Sequence, residues 1–194
     1  MRIASIVINA VIFAVTAVLL VRCFYMEGRW QLRRGLKAFR YFTVLSNAFC
    51  ALTALAMAIG QLRGAVSPFL LTFKYLGTAS VAVTLLTVVL FLGPTQGYRA
   101  LLSGDSFYMH LAGPLLAIGS FCFLEKRGMT MATALTGLLP VLLYGVVYLY
   151  KVVYAPQEKR WEDFYGFNRG GKWPVAFGAM LVGTAAVCLL LWRV

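Results

Sequence analysis

Six long apolar stretches divide the chain, and no Asp, Glu, Lys or Arg interrupts any of them. Each has about the 20 residues that a helix needs to cross the hydrocarbon of a bilayer. Strands of a membrane barrel would be about half as long and would alternate in polarity, whereas these stretches are continuously apolar. The pattern predicts transmembrane helices at Ile3–Val21, Tyr41–Gln61, Tyr75–Leu92, Phe107–Leu124, Met131–Tyr150 and Pro174–Trp192.

The composition supports lipid as the solvent, because 61% of the residues are hydrophobic and only 12% are charged. That is too little charge to cover a water-soluble globule of this size. The loops are short, so neighbouring helices are expected to be antiparallel. Residues 1–194 are therefore predicted to form one all-α domain, a single bundle of six transmembrane helices. The first stretch lacks a small-residue cleavage site, so we expect it to be retained rather than removed as a signal peptide.

The formal net charge of +12 has to be divided between the two membrane faces before it indicates a partner. Loops 1, 3 and 5 with their flanks carry 12 basic residues, and the opposite face carries six. The positive-inside bias predicts that loops 1, 3 and 5 are cytoplasmic and that both termini lie outside. The expected partners are membrane lipids rather than nucleic acid. The pattern does not predict an oligomeric state.

Metal and cofactor sites are not expected. The four cysteines show no paired spacing, and three of them, Cys50, Cys122 and Cys188, lie within apolar stretches. They are more typical of small buried side chains than of disulfides or metal ligands. The chain has a single histidine and no phosphate-binding or zinc-protease motif.

Polar residues inside the spans are the candidates for chemistry, because polar groups in hydrocarbon are costly. Thr43, Ser46 and Asn47 share one face of the second predicted helix, and His110 opens the fourth. Both helices enter the membrane from the same side, so Thr43 and His110 are predicted at the same depth. There His110 could take the proton of the Thr43 hydroxyl and make it a nucleophile. The Asn47 amide could stabilise an oxyanion.

Structural roles are open for the same residues. Thr43 could bond a backbone carbonyl of its own helix, and Ser46 and Asn47 could hold helices together. His110 could be a packing residue. Gly113 and Pro114 lie on the face of His110, where they could line a pocket for an acyl chain or allow close helix packing.

The wording Tyr41-Phe42-Thr43-Val44-Leu45-Ser46-Asn47, followed by His110-Leu111-Ala112-Gly113-Pro114, resembles the androgen-induced-gene family of membrane hydrolases. The six-span layout and the length resemble that family too. The resemblance implies that the chain is a bacterial member of the family, with Thr43 as the nucleophile and His110 as its base. It also implies that the substrates resemble fatty acid esters of hydroxy fatty acids.

One feature of the family's bacterial members is missing. An acidic residue often follows their histidine by two to three turns, whereas this chain has Ala117-Ile118-Gly119-Ser120 there. The group that orients His110 is therefore open, with candidates on the same face: Asp105, Glu158, Glu162 and Asp163. The segment Trp161–Lys172 could fold over the site as a lid or lie along the interface.

The leading prediction is an intramembrane threonine hydrolase of lipid esters that needs no cofactor, located in a bacterial plasma membrane. The alternative is a small transporter or lipid-binding protein with a polar cavity between the second, third and fourth helices. Its lining would be Ser46, Asn47, Thr78, Ser80, Thr84, Thr87 and His110. Against transport, no acidic residue lies within a predicted span. A structural partner subunit without chemistry is a third possibility.

Overall fold

A computed structural model describes all 194 residues and confirms the all-α prediction, with 79% of the chain helical. Six helices are long and apolar enough to cross a membrane: α1 (Arg2–Cys23), α3 (Phe42–Leu62), α4 (Pro68–Gln96), α6 (Gly104–Glu125), α7 (Met131–Tyr154) and α8 (Trp173–Arg193). Two short helices lie between them, α2 (Leu32–Ala38) and α5 (Tyr98–Leu101). A small antiparallel hairpin, β1 (Tyr25–Met26) and β2 (Arg29–Trp30), follows α1.

Helix α4 is the centre of the bundle. On one side it packs with α1, α3 and α6 around a cluster of small and branched apolar side chains: Ile12, Cys50, Ala54, Val81 and Ala117. On its other side it packs with α6, α7 and α8 around a larger cluster, which includes Tyr75, Phe121, Val141 and Leu191. The Tyr75 hydroxyl donates to the Ala134 carbonyl at 2.6 Å and so joins α4 to α7.

The distribution of polarity is that of a protein dissolved in lipid. Large apolar side chains are exposed on the outer faces of the long helices, for example Leu52, Phe123 and Val182. The buried set instead contains many polar side chains: Ser5, Asn9, Thr16, Ser46, Asn47, Thr53, Gln61, Lys74, Thr78, Ser80, Thr84, Ser120, Glu125 and Thr184. Because lipid offers no hydrogen bonds, most of these side chains make their hydrogen bonds inside the bundle.

Helix α4 begins at Pro68, seven residues before the predicted start at Tyr75. Ser67 caps it by accepting the Leu70 N–H, and Pro68 stands in its first turn, where a missing N–H costs nothing. Lys74 therefore lies within a span and is completely buried. Glu125 is the last residue of α6 and is also buried. The prediction that Lys74 lies outside the membrane helices is wrong, because the interior of the bundle, rather than lipid, surrounds it.

Two of the four π-helical turns, Val88–Leu92 in α4 and Tyr108–Ala112 in α6, each precede a Gly-Pro pair. The N–H groups of Gly93 and Gly113 reach back five residues, to the carbonyls of Val88 and Tyr108. The carbonyl one residue later in each turn, which a regular α-helix would pair with that glycine, is thus released. In α4 the released Val89 carbonyl accepts the Tyr98 hydroxyl at 2.8 Å, which anchors α5.

Close packing of α3 on α4 depends on Gly77. A Cβ atom there would lie 2.5 Å from Thr53 Oγ1 and 3.0 Å from the Cys50 Cα. We expect Gly77→Val to destabilise the protein by about 1–3 kcal/mol through overpacking, measured as a lower unfolding temperature in detergent. The matched control is Gly183→Val in α8, where no atom lies within 4 Å of a new Cβ. Equal unfolding temperatures for the two variants would contradict the packing argument.

Candidate functional site

A cavity of about 340 Å³ opens at the end of the bundle where the loops after α1, α4 and α7 meet. Thr43 and His110 both line it, so the structure brings these two predicted residues to one site. The remaining lining is mainly apolar and comes from α1, α3, α4, α5, α6 and the loop before α8: Cys23, Tyr41, Val44, Leu92, Gln96, Leu101, Asp105, Ser106, Met109, Phe164 and Tyr165.

His110 lies in the π-helical turn of α6, and its ring is held by a backbone carbonyl. Its Nδ1 lies 2.7 Å from the carbonyl oxygen of Leu101, the last residue of α5. Because a carbonyl can only accept, Nδ1 carries the hydrogen, and Nε2 of the neutral ring is the basic nitrogen. The orienting partner of His110 is therefore a main-chain group. None of Asp105, Glu158, Glu162 and Asp163 makes a hydrogen bond with the ring.

Thr43 stands in the first turn of α3, after the extended residue Tyr41 that precedes the helix. Its carbonyl accepts hydrogen bonds from Ser46 Oγ at 3.1 Å and Asn47 Nδ2 at 2.8 Å. Its hydroxyl has no hydrogen-bond partner in the protein, unlike Thr78 and Thr84, whose hydroxyls donate to the carbonyl one turn earlier. Thr43 and His110 make no direct hydrogen bond, so any proton transfer between them needs an intervening water or a rotation of the side chains.

Asn47 positions the two helices instead of facing the cavity. Its amide donates to the Thr43 carbonyl and, at 3.0 Å, to the Met109 carbonyl. The Met109 carbonyl is the one that the π-helical turn releases, so a side chain of α3 completes the backbone bonding of α6 next to His110. With both bonds made to carbonyls, the amide is not free to stabilise an oxyanion, and the predicted oxyanion role has no support in this arrangement.

The other predicted pocket residues pack between helices, although Ser46 also lines a separate cavity between α3 and α7. Ser46 Oγ lies 2.8 Å from Thr84 Oγ1 and so joins α3 to α4. Gly113 and Pro114 are buried, and a Cβ on Gly113 would meet the Tyr108 carbonyl at 3.0 Å. They do not line the cavity, because the π-helical turn directs this part of α6 against its neighbours.

The segment Trp161–Lys172 after α7 folds over the cavity, which is one of the two positions predicted for it. The Tyr165 oxygen accepts the Phe42 N–H at 2.9 Å, and the Phe164 ring packs 4.5 Å from that of Tyr41. Burial raises the pKa of Tyr165 to about 12, although the bond from Phe42 acts in the opposite direction. The phenol is therefore protonated at neutral pH, and its hydrogen is available as a donor.

A carboxylate shapes this covering segment from within. Asp163 accepts the Phe167 and Asn168 N–H groups at 2.8 and 2.7 Å and the Tyr148 hydroxyl at 2.8 Å. The Tyr148 oxygen in turn accepts the Tyr165 N–H at 3.1 Å. Asp163 thus has a structural role, which its position in a loop did not reveal from the sequence.

The charge of Asp105, the one acidic side chain that lines the cavity, is paired with a basic side chain. Asp105 pairs with Arg22 at 3.1 Å in an exposed salt bridge between α6 and α1. No group of three or more His, Cys, Asp or Glu side chains is placed to hold a metal ion.

Comparison with known proteins gives no relative: no family model, curated protein or solved structure matches this chain. The resemblance to the androgen-induced-gene family therefore stays a prediction that rests on the quoted residues.

Removing the Asp163 carboxylate should loosen the covering segment. We expect Asp163→Ala to speed amide hydrogen exchange in residues 161–172 by at least about tenfold, because two N–H groups and one hydroxyl lose their acceptor. Mass spectrometry of peptides from purified protein measures this. Glu162→Ala is the matched control, since this neighbour is exposed and makes no hydrogen bond through its side chain. Equal protection in both variants would show that the aromatic packing alone holds the segment.

Proposed function

We propose that the protein is an intramembrane hydrolase of lipid esters, with Thr43 as nucleophile and His110 as general base. One observation carries the proposal: the unbonded Thr43 hydroxyl shares a cavity with a histidine whose Nδ1 is tied to a carbonyl. That tie leaves Nε2 as the basic atom, which is the arrangement that activates a hydroxyl nucleophile. Hydrogen bonds between such groups are often absent before substrate binds.

The reaction follows from these roles. Thr43 Oγ attacks the ester carbonyl while its proton passes to His110 Nε2, through a bridging water if the two groups stay apart. The protonated ring then gives the proton to the departing alcohol, which leaves an acyl-threonine. A water molecule then attacks the acyl-threonine carbonyl while His110 Nε2 takes its proton. The bond between the carbonyl carbon and Thr43 Oγ breaks, Oγ receives a proton from the ring, and the fatty acid is released. Every proton is returned, so the cycle needs no cofactor.

The donor for the developing oxyanion is the Tyr165 hydroxyl, which lines the cavity and stays protonated. One well-aimed donor of this kind contributes about 3 kcal/mol to the transition state.

Lipid esters are the favoured substrate class, because the cavity is mainly apolar and lies at one end of membrane-length helices. A second, separate cavity of about 450 Å³ is lined by Phe42, the residue before Thr43, and mainly by apolar side chains of α3 and α7 such as Phe49 and Leu143. It has the size and lining for an acyl chain. The family resemblance points to fatty acid esters of hydroxy fatty acids within this class.

The proposal is tested by covalent labelling with a fluorophosphonate probe on purified protein in detergent. We expect labelling of the parent to fall at least about 100-fold in Thr43→Ala and in His110→Ala, because nucleophile and base are each required. Thr184→Ala is the matched control, since its hydroxyl bonds the Met180 carbonyl far along α8. A folded parent that is not labelled, or labelling that both substitutions leave unchanged, would overturn the mechanism.

We propose in addition that the protein lies in a bacterial plasma membrane with loops 1, 3 and 5 in the cytoplasm. The excess of basic residues on that face supports this orientation. In a cysteine-free background, an impermeant maleimide should label Arg127→Cys in intact cells and Glu158→Cys only after permeabilisation. Both positions are exposed, and they lie on opposite faces. The reverse labelling pattern would invert the topology.

A further inference from the structure

A second group of polar side chains lies at the opposite end of α6 from His110. It contains Ser5 and Asn9 of α1, Gln61 of α3, Lys74 of α4, and Ser120 and Glu125 of α6. Each is at most 5% exposed. Four helices thus contribute to one buried polar cluster, which we call the Glu125 cluster, and neither the hydrolase proposal nor the sequence resemblance assigns it a role.

Donors converge on one oxygen of Glu125. Its Oε1 accepts Ser5 Oγ at 2.6 Å, Ser120 Oγ at 2.7 Å and the Asn9 amide. Gln61 Nε2 donates to Ser5 Oγ at 2.9 Å, so that hydroxyl is free to direct its own proton at the carboxylate. Three donors on one oxygen suit an ionised carboxylate, which can only accept.

Four other atoms of the cluster have no hydrogen-bond partner: Asn9 Oδ1, Gln61 Oε1, Lys74 Nζ and Glu125 Oε2. Three are acceptors and one is an ammonium with three hydrogens. Lys74 and Glu125 do not form a direct salt bridge, since the one salt bridge of the structure joins Arg22 and Asp105. Geometry brings Lys74 to the same region of the bundle, because the ring of the adjacent Tyr75 packs 5.5 Å from that of Phe121, the residue after Ser120.

We infer that the Glu125 cluster is an internal water-binding site, in which ordered water bridges the Lys74 ammonium and the Glu125 carboxylate. Water can accept from Lys74 Nζ and at the same time donate to Glu125 Oε2 and to the amide oxygens of Asn9 and Gln61. Few other small ligands fit this set. A metal cation would meet the Lys74 charge, and an anion would meet the carboxylate and two carbonyl oxygens.

A water-bridged ion pair explains why two opposite charges are tolerated inside a membrane bundle. An unpaired buried charge is strongly unfavourable, whereas a pair whose remaining lone pairs and protons are satisfied is not. The site would also couple α1, α3, α4 and α6 at the end of the bundle remote from the cavity that Thr43 and His110 line, which we call the Thr43 cavity. This inference does not depend on the proposed hydrolase.

The coupling is tested by a double-mutant cycle with Lys74→Met and Glu125→Gln, using thermal unfolding of full-length protein in detergent. Each single change leaves one buried charge alone, so we expect a drop of several degrees in unfolding temperature for each. The double variant should lose less than the sum of the two drops. Arg127→Met, an exposed change near the same end, should leave the temperature unchanged. Additive losses would overturn the ion pair.

If a single variant does not fold, the amounts of the single and double variants that accumulate in cells test the same ion pair. Accumulation of the double variant where a single variant fails would support the pair. If all three variants fail, an experimental structure of the parent at a resolution that shows ordered water decides. Density for water in contact with both Lys74 Nζ and Glu125 Oε2 is the expected result. A direct contact between the two side chains, a dry gap, or density for a different ligand would overturn the water site.

Discussion

Lipid cannot form hydrogen bonds, and the rest of this structure depends on that constraint. Helices satisfy the backbone, but each polar side chain within a span needs a partner inside the bundle. The chain meets this need by turning its hydroxyls, amides and two charged groups inward and leaving leucines, valines and phenylalanines outside. Helix α4 shows the result, because it contributes Lys74, Thr78, Ser80 and Thr84 to the interior and packs with helices on both of its sides.

The same need for partners shapes the Thr43 cavity. The two π-helical turns that precede Gly-Pro pairs each release one carbonyl, which then accepts a hydrogen bond from a side chain: the Val89 carbonyl from Tyr98, and the Met109 carbonyl from Asn47. The first bond anchors α5, whose last residue supplies the carbonyl that orients His110. The second ties α3 to α6 beside that histidine. An irregularity in two helices, next to Gly-Pro pairs, thus places both His110 and its orienting group, without a carboxylate.

The sequence predicted the six spans and brought attention to Thr43 and His110, because long apolar runs and rare polar residues within them are strong signals. It did not predict the partner of His110, since any residue can supply a carbonyl and Leu101 carries no mark of that role. Tyr165 was one of several aromatic residues in a loop, and only tertiary packing places it against Phe42. The burial of Lys74 was missed because a hydropathy pattern treats every lysine as a group that avoids the membrane, whereas this one is enclosed by the bundle.

The arrangement of the two polar regions along α6 favours separate sites over one continuous path. His110 and Glu125 lie at opposite ends of this helix, and Ala117 lies between them. Ala117 packs with Ile12, Cys50, Ala54 and Val81 in an apolar layer that α1, α3, α4 and α6 share. A transporter needs a route for its substrate through this layer, but the hydroxyls that a polar path would use, those of Thr78, Ser80 and Thr84, bond to carbonyls of α4. The proposed hydrolase site at one end and the inferred ion pair at the other need no such route.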